Sequence, residues 1–199
     1  MGERDEATSA EDQFDFTRSE CWVRALQAFG TAHIFELRAR KYSRLLRWVA
    51  FVGLVVPLVV GGFALSYGAS FVALPVVIII GSAVGIVQAT ISLWSLVARW
   101  LESYAYAIES VISNKGLYLR FKDLGGNPPT LLDDLKTQYR LLQVEDDARR
   151  GQDYKQEITE PEKRRAMRAG LRELGRECAS CHKVPTEMNP TECGVCGDF

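Results

Sequence analysis

Hydrophobic and polar positions divide the chain into three regimes. From Trp48 to Ala98 there is no Asp, Glu, Lys, Arg or His, and Arg47 and Arg99 close the run on either side. A helix crossing about 30 Å of hydrocarbon takes roughly 20 residues, so the run suffices for two crossings. It divides at the small and polar Ser66, Gly68 and Ser70, which predicts spans over about 48–66 and 71–96 joined by a very short turn. Before the run, Trp22, Leu26, Phe29, His33 and Leu37 recur at three- and four-residue intervals, the stripe of an amphipathic helix. Thr17 and Glu20 have the spacing of a capping box that would open this helix. After the run, Val97, Leu101, Tyr104, Ile108 and Val111 fall at heptad-like spacing. The helices flanking the spans should therefore pack on each other or on neighbouring subunits. Gly125, Gly126, Pro128 and Pro129 break the pattern. A further helix is expected from Thr130 to about Arg150, and Thr159 with Glu162 opens a last one over Lys163 to Glu177.

Composition changes little until charge is placed along the chain. The averages, 199 residues with 47% hydrophobic and a net charge of −1, resemble one soluble domain. A soluble protein would need a far larger shell to bury the uncharged run. The acidic start, with Glu3, Asp5, Glu6, Glu11, Asp12 and Asp15, lacks the basic region of a signal peptide, and Glu6 breaks the myristoylation pattern. Arg38, Arg40, Lys41, Arg44 and Arg47 precede the first span, Arg99, Lys115, Arg120 and Lys122 follow the second, and the turn has no basic residue. The positive-inside rule then puts both termini in the cytoplasm, with Trp48, Trp94 and Trp100 near the inner interface and Tyr67 near the outer one. The expected fold is an all-α membrane protein: a two-helix transmembrane hairpin with cytoplasmic helical extensions and a small C-terminal zinc knuckle or ribbon. Its segments are a disordered acidic stretch over 1–16, an amphipathic helix with the hairpin and a cytoplasmic helix over 17–125, helices and a linker over 126–177, and the cysteine-rich tail over 178–199.

That tail carries the strongest chemical signal. Cys178 and Cys181 form one CxxC, Cys193 and Cys196 a second, and eleven residues separate the pairs. Each CxxC turn aims two sulfurs at one point, and four thiolates complete a tetrahedral zinc shell with Zn–S near 2.3 Å. So short a segment cannot build a sufficient core, so Zn2+ would supply the folding energy. Gly197 suits the tight turn, and Pro185 and Pro190 stiffen the loop. A reducing compartment disfavours disulfides, and a redox CxxC would not need a second pair. Cys178, Cys181 and His182 also spell CxxCH, the attachment signature of c-type haem, which conflicts with a cytoplasmic tail and leaves Cys193 and Cys196 without a role. His182 is either a bystander or a substitute ligand, and Cys21 reads as packing. A filled four-sulfur shell leaves no open position for catalysis, and with two histidines no catalytic constellation stands out, so no enzyme is expected. Lys163, Arg164, Arg165, Arg168, Arg172 and Arg176 make the preceding helix basic. Without interleaved aromatics it does not favour nucleic acid; a protein-docking or anionic-lipid face, or simply a solvated one, fits better.

In the second span Gly81, Gly85, Gln88, Ser92 and Ser95 form one small and polar stripe, and Gly53, Pro57 and Gly61 in the first look like a matching surface. The stripe either seals the hairpin or an oligomer contact, or lines a pore when several hairpins associate.

An amphipathic helix, two spans with a very short turn and a helical extension, together Ser19 to about Pro129, resemble the SLATT family. The tail resembles the subset of mobile-element-associated proteins described by CxxC-x(11)-CxxC spacing. The first resemblance implies an oligomeric, pore-forming effector of the bacterial inner membrane, used in conflict or anti-phage defence under control of a cytosolic sensor or partner. The alternative is a membrane-anchored adaptor whose zinc tail recruits a cytosolic partner. Expected partners are membrane lipid, further copies of the chain and a cytosolic protein.

Overall fold

A computed structural model describes residues 2–67 and 74–199. The expected turn at Gly68 to Ser70 and the start of the second span at Phe71 lie outside the described residues. Every regular element among the described residues is helical: α1 (Gly2–Tyr67), α2 (Leu74–Val97), α3 (Trp100–Gly126), α4 (Leu132–Asp153), a single 3-10 turn (Tyr154–Gln156) and α5 (Glu160–Leu174). The chain forms two compact units, one of residues 1–37 and 108–199, the other Arg38–Ala107.

In the first unit α1, α3 and α4 build the main core. Cys21, Ala25 and Ala28 of α1 meet Leu117, Tyr118, Phe121 and Leu124 of α3 and Leu135 and Leu142 of α4, with Phe14, Phe29, Tyr139 and Leu174 packed around them. Small residues on one helix facing large ones on another let the side chains interdigitate at crystal-like density. The α1 face predicted from Trp22, Leu26, Phe29 and His33 is therefore displaced by about one residue: the deepest seam is Cys21, Ala25, Ala28, Ala32 and Phe35. The larger residues flank it, with Phe29 edge-on to Tyr118 at 5.1 Å. Nor does α1 open at Thr17. It runs in from Gly2, Phe14 packs on the core, and the Thr17 hydroxyl donates back to the Gln13 carbonyl at 2.8 Å, as a hydroxyl inside a helix does.

The heptad-like set after the second span also falls elsewhere than expected. Val97 and Leu101 are exposed, and so is Ile108, while Ser110, Asn114, Leu117, Tyr118, Phe121 and Leu124 make the buried face of α3. The periodicity does not carry through because Arg99 takes φ 52 and separates α2 from α3. Its guanidinium pairs with Glu102.

Two buried charge networks fasten α4. Asp153 accepts from Ser110 Oγ at 2.9 Å, from Asn114 Nδ2 at 2.8 Å and from Arg149 Nη2 at 3.1 Å, and Arg149 also reaches Glu109 at 2.8 Å. Two helical turns earlier, Asp146 receives Arg24 of α1 at 2.6 Å and Arg150 at 2.9 Å.

The second unit holds the apolar half of α1 and all of α2. Both are long and apolar enough to cross a membrane, and none of the most apolar stretch of either is buried. Leu54, Leu58, Ile79, Ile86 and Leu93 lie on the surface. Pro57 lies within α1 and removes one donor from the helix ladder.

Candidate metal centre

The centre is built outward from α5. Thr159 and Glu162 form its capping box, with the Thr159 N–H donating to Glu162 Oε2 at 2.9 Å. The helix expected to reach Glu177 stops at Leu174, because Gly175 takes φ 60, a left-handed conformation that glycine adopts without steric cost. The Arg176 N–H then closes on the Leu171 carbonyl at 2.9 Å, and the chain turns into the first CxxC.

Each CxxC is a short loop tied by backbone bonds. In the first, the His182 N–H donates to the Cys178 carbonyl at 2.9 Å and the Cys178 N–H to the Lys183 carbonyl at 3.0 Å. In the second, the Gly197 N–H donates to the Cys193 carbonyl at 2.8 Å. The residue after each second cysteine is thus equivalent in the two loops, yet the sequence treats them differently. His182 takes φ 53, a conformation histidine visits more readily than most residues. Gly197 is needed for space instead: a Cβ there would lie 2.5 Å from the Thr191 carbonyl oxygen.

The four sulfurs lie within 4.8 Å of one another, with Cys178 to Cys193 at 3.9 Å and Cys181 to Cys196 at 3.8 Å. A tetrahedron with metal–sulfur bonds of 2.3 Å has edges of about 3.8 Å, so the cage has the size of a tetrahedral four-thiolate site. No disulfide joins them, and a disulfide would need the sulfurs at about 2.05 Å. Cys178 and Cys196 are buried and Cys181 and Cys193 half-buried. Backbone N–H groups of Val195 and Cys196 pull the Cys193 thiol down to about 6, whereas burial pushes Cys196 up to about 12. So many sulfurs at this spacing ionise together only around a cation. Soft thiolates in a tetrahedron select zinc, iron or cuprous copper over hard cations. The described group consists of the four cysteines, with His182 contributing backbone. Cys21 belongs to the main core, its thiol pushed up by burial to about 11, so it is an unreactive packing residue.

The basic face expected on α5 is largely turned to the tail. Arg168, only 8% exposed, donates through Nε to the Glu187 carbonyl at 2.6 Å and through Nη1 to the Cys196 carbonyl at 3.3 Å. One guanidinium thereby holds the loop and the second CxxC together. Arg164 pairs with Asp198, Arg165 lies over the Phe199 ring at 5.8 Å, and Arg176 lies over Trp22 at 5.6 Å. Sequence alone shows these charges but not their partners. The other side of the centre is apolar: Leu171, Met167 and Leu26 pack against the cysteines. Gly170 lets α5 come this close to α1, since a Cβ there would lie 3.2 Å from the Leu26 carbonyl oxygen. The centre is consequently seated on α1.

In the hairpin unit, the stripe residues fall in two groups. Gln88 Nε2 donates to the Val49 carbonyl at 2.6 Å and reaches Ser92 Oγ at 3.4 Å; Ser95 Oγ donates to the Ser92 carbonyl at 2.8 Å. Gly81 faces Val60, whose Cγ2 would lie 2.6 Å from an added Cβ. Gly85 meets nothing within 4 Å. Of the matching surface expected on α1, Gly53 lies against Gln88, but Gly61 meets nothing within 4 Å. Steps of four residues rotate about 40° each around a helix, so this surface turns away and Val60 takes the place of Gly61.

Comparison with curated proteins and with solved structures gave no match. The family model described as mobilome CxxCx(11)CxxC protein matches residues 18–199, nearly the whole chain and both CxxC loops, and the chain belongs to that family.

Proposed function

We propose that the protein is an oligomeric, two-span effector of the bacterial inner membrane, serving a mobile-element conflict or anti-phage system, whose hairpins open an ion path when they reassociate. The observation that supports this best is Gln88. An amide within hydrocarbon must keep a partner, and here that partner is the α1 carbonyl of Val49. We read this bond as the seal of a resting hairpin; on reassociation water would replace the carbonyl and the stripe would line the path. In the cytoplasm, Cys178, Cys181, Cys193 and Cys196 hold Zn2+ as a structural centre, and a cytosolic partner acts through the unit that carries it. The SLATT-like order of helices supports the same reading. The second reading, a membrane-anchored adaptor, is favoured by one feature of the same bond: it is complete within a single chain, so the spans need only anchor while the zinc tail recruits a partner.

Membrane potential separates the two. Induced expression should depolarise cells, and Gln88→Leu, at equal membrane abundance, should remove most of the effect. Replacing both spans with an unrelated hairpin should abolish activity in a pore and preserve it in an adaptor. Absence of depolarisation at high membrane abundance would overturn the pore reading.

A further inference from the structure

Lys163, Arg164, Arg165 and Arg168 of α5 have partners within their own unit, whereas Arg44 and Arg47 of α1 do not engage a carboxylate. Arg44 Nε donates to the Arg40 carbonyl at 3.3 Å and Arg47 Nε to the Ser43 carbonyl at 3.3 Å; no acidic side chain among the described residues pairs with either. With Trp48 and Phe51 they line one surface hollow of about 390 Å³. The spacing 44, 47, 48, 51 places all four on a single helical face. Trp48 and Phe51 meet edge-on at 5.9 Å and 88°, and Trp48 is 65% exposed. Charge ends and the apolar run begins between Arg47 and Trp48.

We infer that this hollow is a binding site for an anionic phospholipid. The assignment rests on the membrane reading above. Two guanidiniums one turn apart present planar forks of donors that match phosphate oxygens. The ring pair directly below them offers apolar surface to the glycerol and upper acyl chain, at the depth where tryptophan settles in a bilayer. The rings distinguish a lipid from free phosphate, which would have nothing to place on them. Two positive charges with no acid beside them select an anionic headgroup over a zwitterionic one. Such a site would fix the depth and rotation of α1 where it meets the membrane.

The test uses the full chain in neutral detergent, with native mass spectrometry counting retained lipid. Phosphatidylglycerol should be retained in preference to phosphatidylcholine. Each arginine near a headgroup is worth about fivefold in affinity, so the double variant Arg44→Gln, Arg47→Gln should lose roughly thirtyfold of the preference. Arg164→Gln with Arg165→Gln, on α5, should leave it unchanged. Equal retention of the two lipids, undiminished preference in the Arg44 and Arg47 variant, or displacement by inorganic phosphate at equal concentration would each overturn the site. Membrane partition of the same samples keeps the two readings apart: a chain that enters membranes without preferring phosphatidylglycerol refutes the lipid site alone, and one that stays soluble refutes both.

Discussion

Purified chain should carry one sulfur-ligated metal ion per molecule, and Cys178→Ser should abolish stoichiometric binding. Elemental analysis gives the count, and the charge-transfer spectrum after cobalt exchange reports tetrahedral thiolate ligation. The expectation of a large effect follows from how the tail is held. Apart from the cysteines it contributes little core: Cys178 and Cys196 pack against Leu171 of α5, and its other buried residues are Pro185 and Gly197. Structural zinc in small four-ligand sites supplies about 10–16 kcal/mol of apparent binding energy, far more than Arg168 and the Leu26 contact can replace. Losing the ion should therefore release residues from Cys178 onward to proteolysis while the core around Phe121 and Leu135 stays protected, because that core contains no tail residue. Metal-free protein with a protease-resistant tail would contradict this account of the centre.

The second large effect belongs to Asp153. Asp153→Ala should destabilise the four-helix unit by about 3–5 kcal/mol, the usual cost of stranding one member of a buried ion pair. Asp153 and Arg149 are 3% and 6% exposed. Removing the carboxylate leaves the Arg149 charge with the exposed Glu109, deprives the Ser110 hydroxyl of its acceptor and leaves Asn114 Nδ2 with Ser110 alone. Denaturant unfolding of the detergent-solubilised chain, followed by helical circular dichroism, measures the loss. The double variant Arg149→Met, Asp153→Leu should recover most of it, because apolar side chains of similar volume remove the charge and the need for it together. A loss below about 1 kcal/mol for Asp153→Ala would place the pair among solvent-screened contacts.

The features legible in the sequence are those in which residue type alone carries the physics. An uncharged run bounded by Arg47 and Arg99 marks the apolar half of α1 and α2 directly, since lipid-length helices tolerate little charge. Two CxxC pairs mark a four-sulfur cage because two residues between cysteines suit a common ligand point. The seam of α1 was harder to see: a stripe built on large side chains passes over Cys21, Ala25, Ala28 and Ala32, whose small size is what allows α3 to approach. Arg168 shows the same limit for charge. On a helix with five other cations it reads as surface, and only the fold shows that its donors are spent on the carbonyls of Glu187 and Cys196. The partner of Gln88 was likewise out of reach, because the Val49 carbonyl is a backbone atom on another helix.

Everything proposed for the function depends on the hairpin crossing the membrane with the metal-bearing unit inside the cell. Labelling of single introduced cysteines with a membrane-impermeant maleimide tests this most directly. Ser66→Cys, at the far end of α1, and Val144→Cys, exposed on α4, serve as the two reporters, read in intact and in permeabilised cells. The account predicts that Ser66→Cys reacts in intact cells and that Val144→Cys reacts only after permeabilisation. Labelling of Val144→Cys from outside, or protection of Ser66→Cys until the membrane is opened, would contradict it.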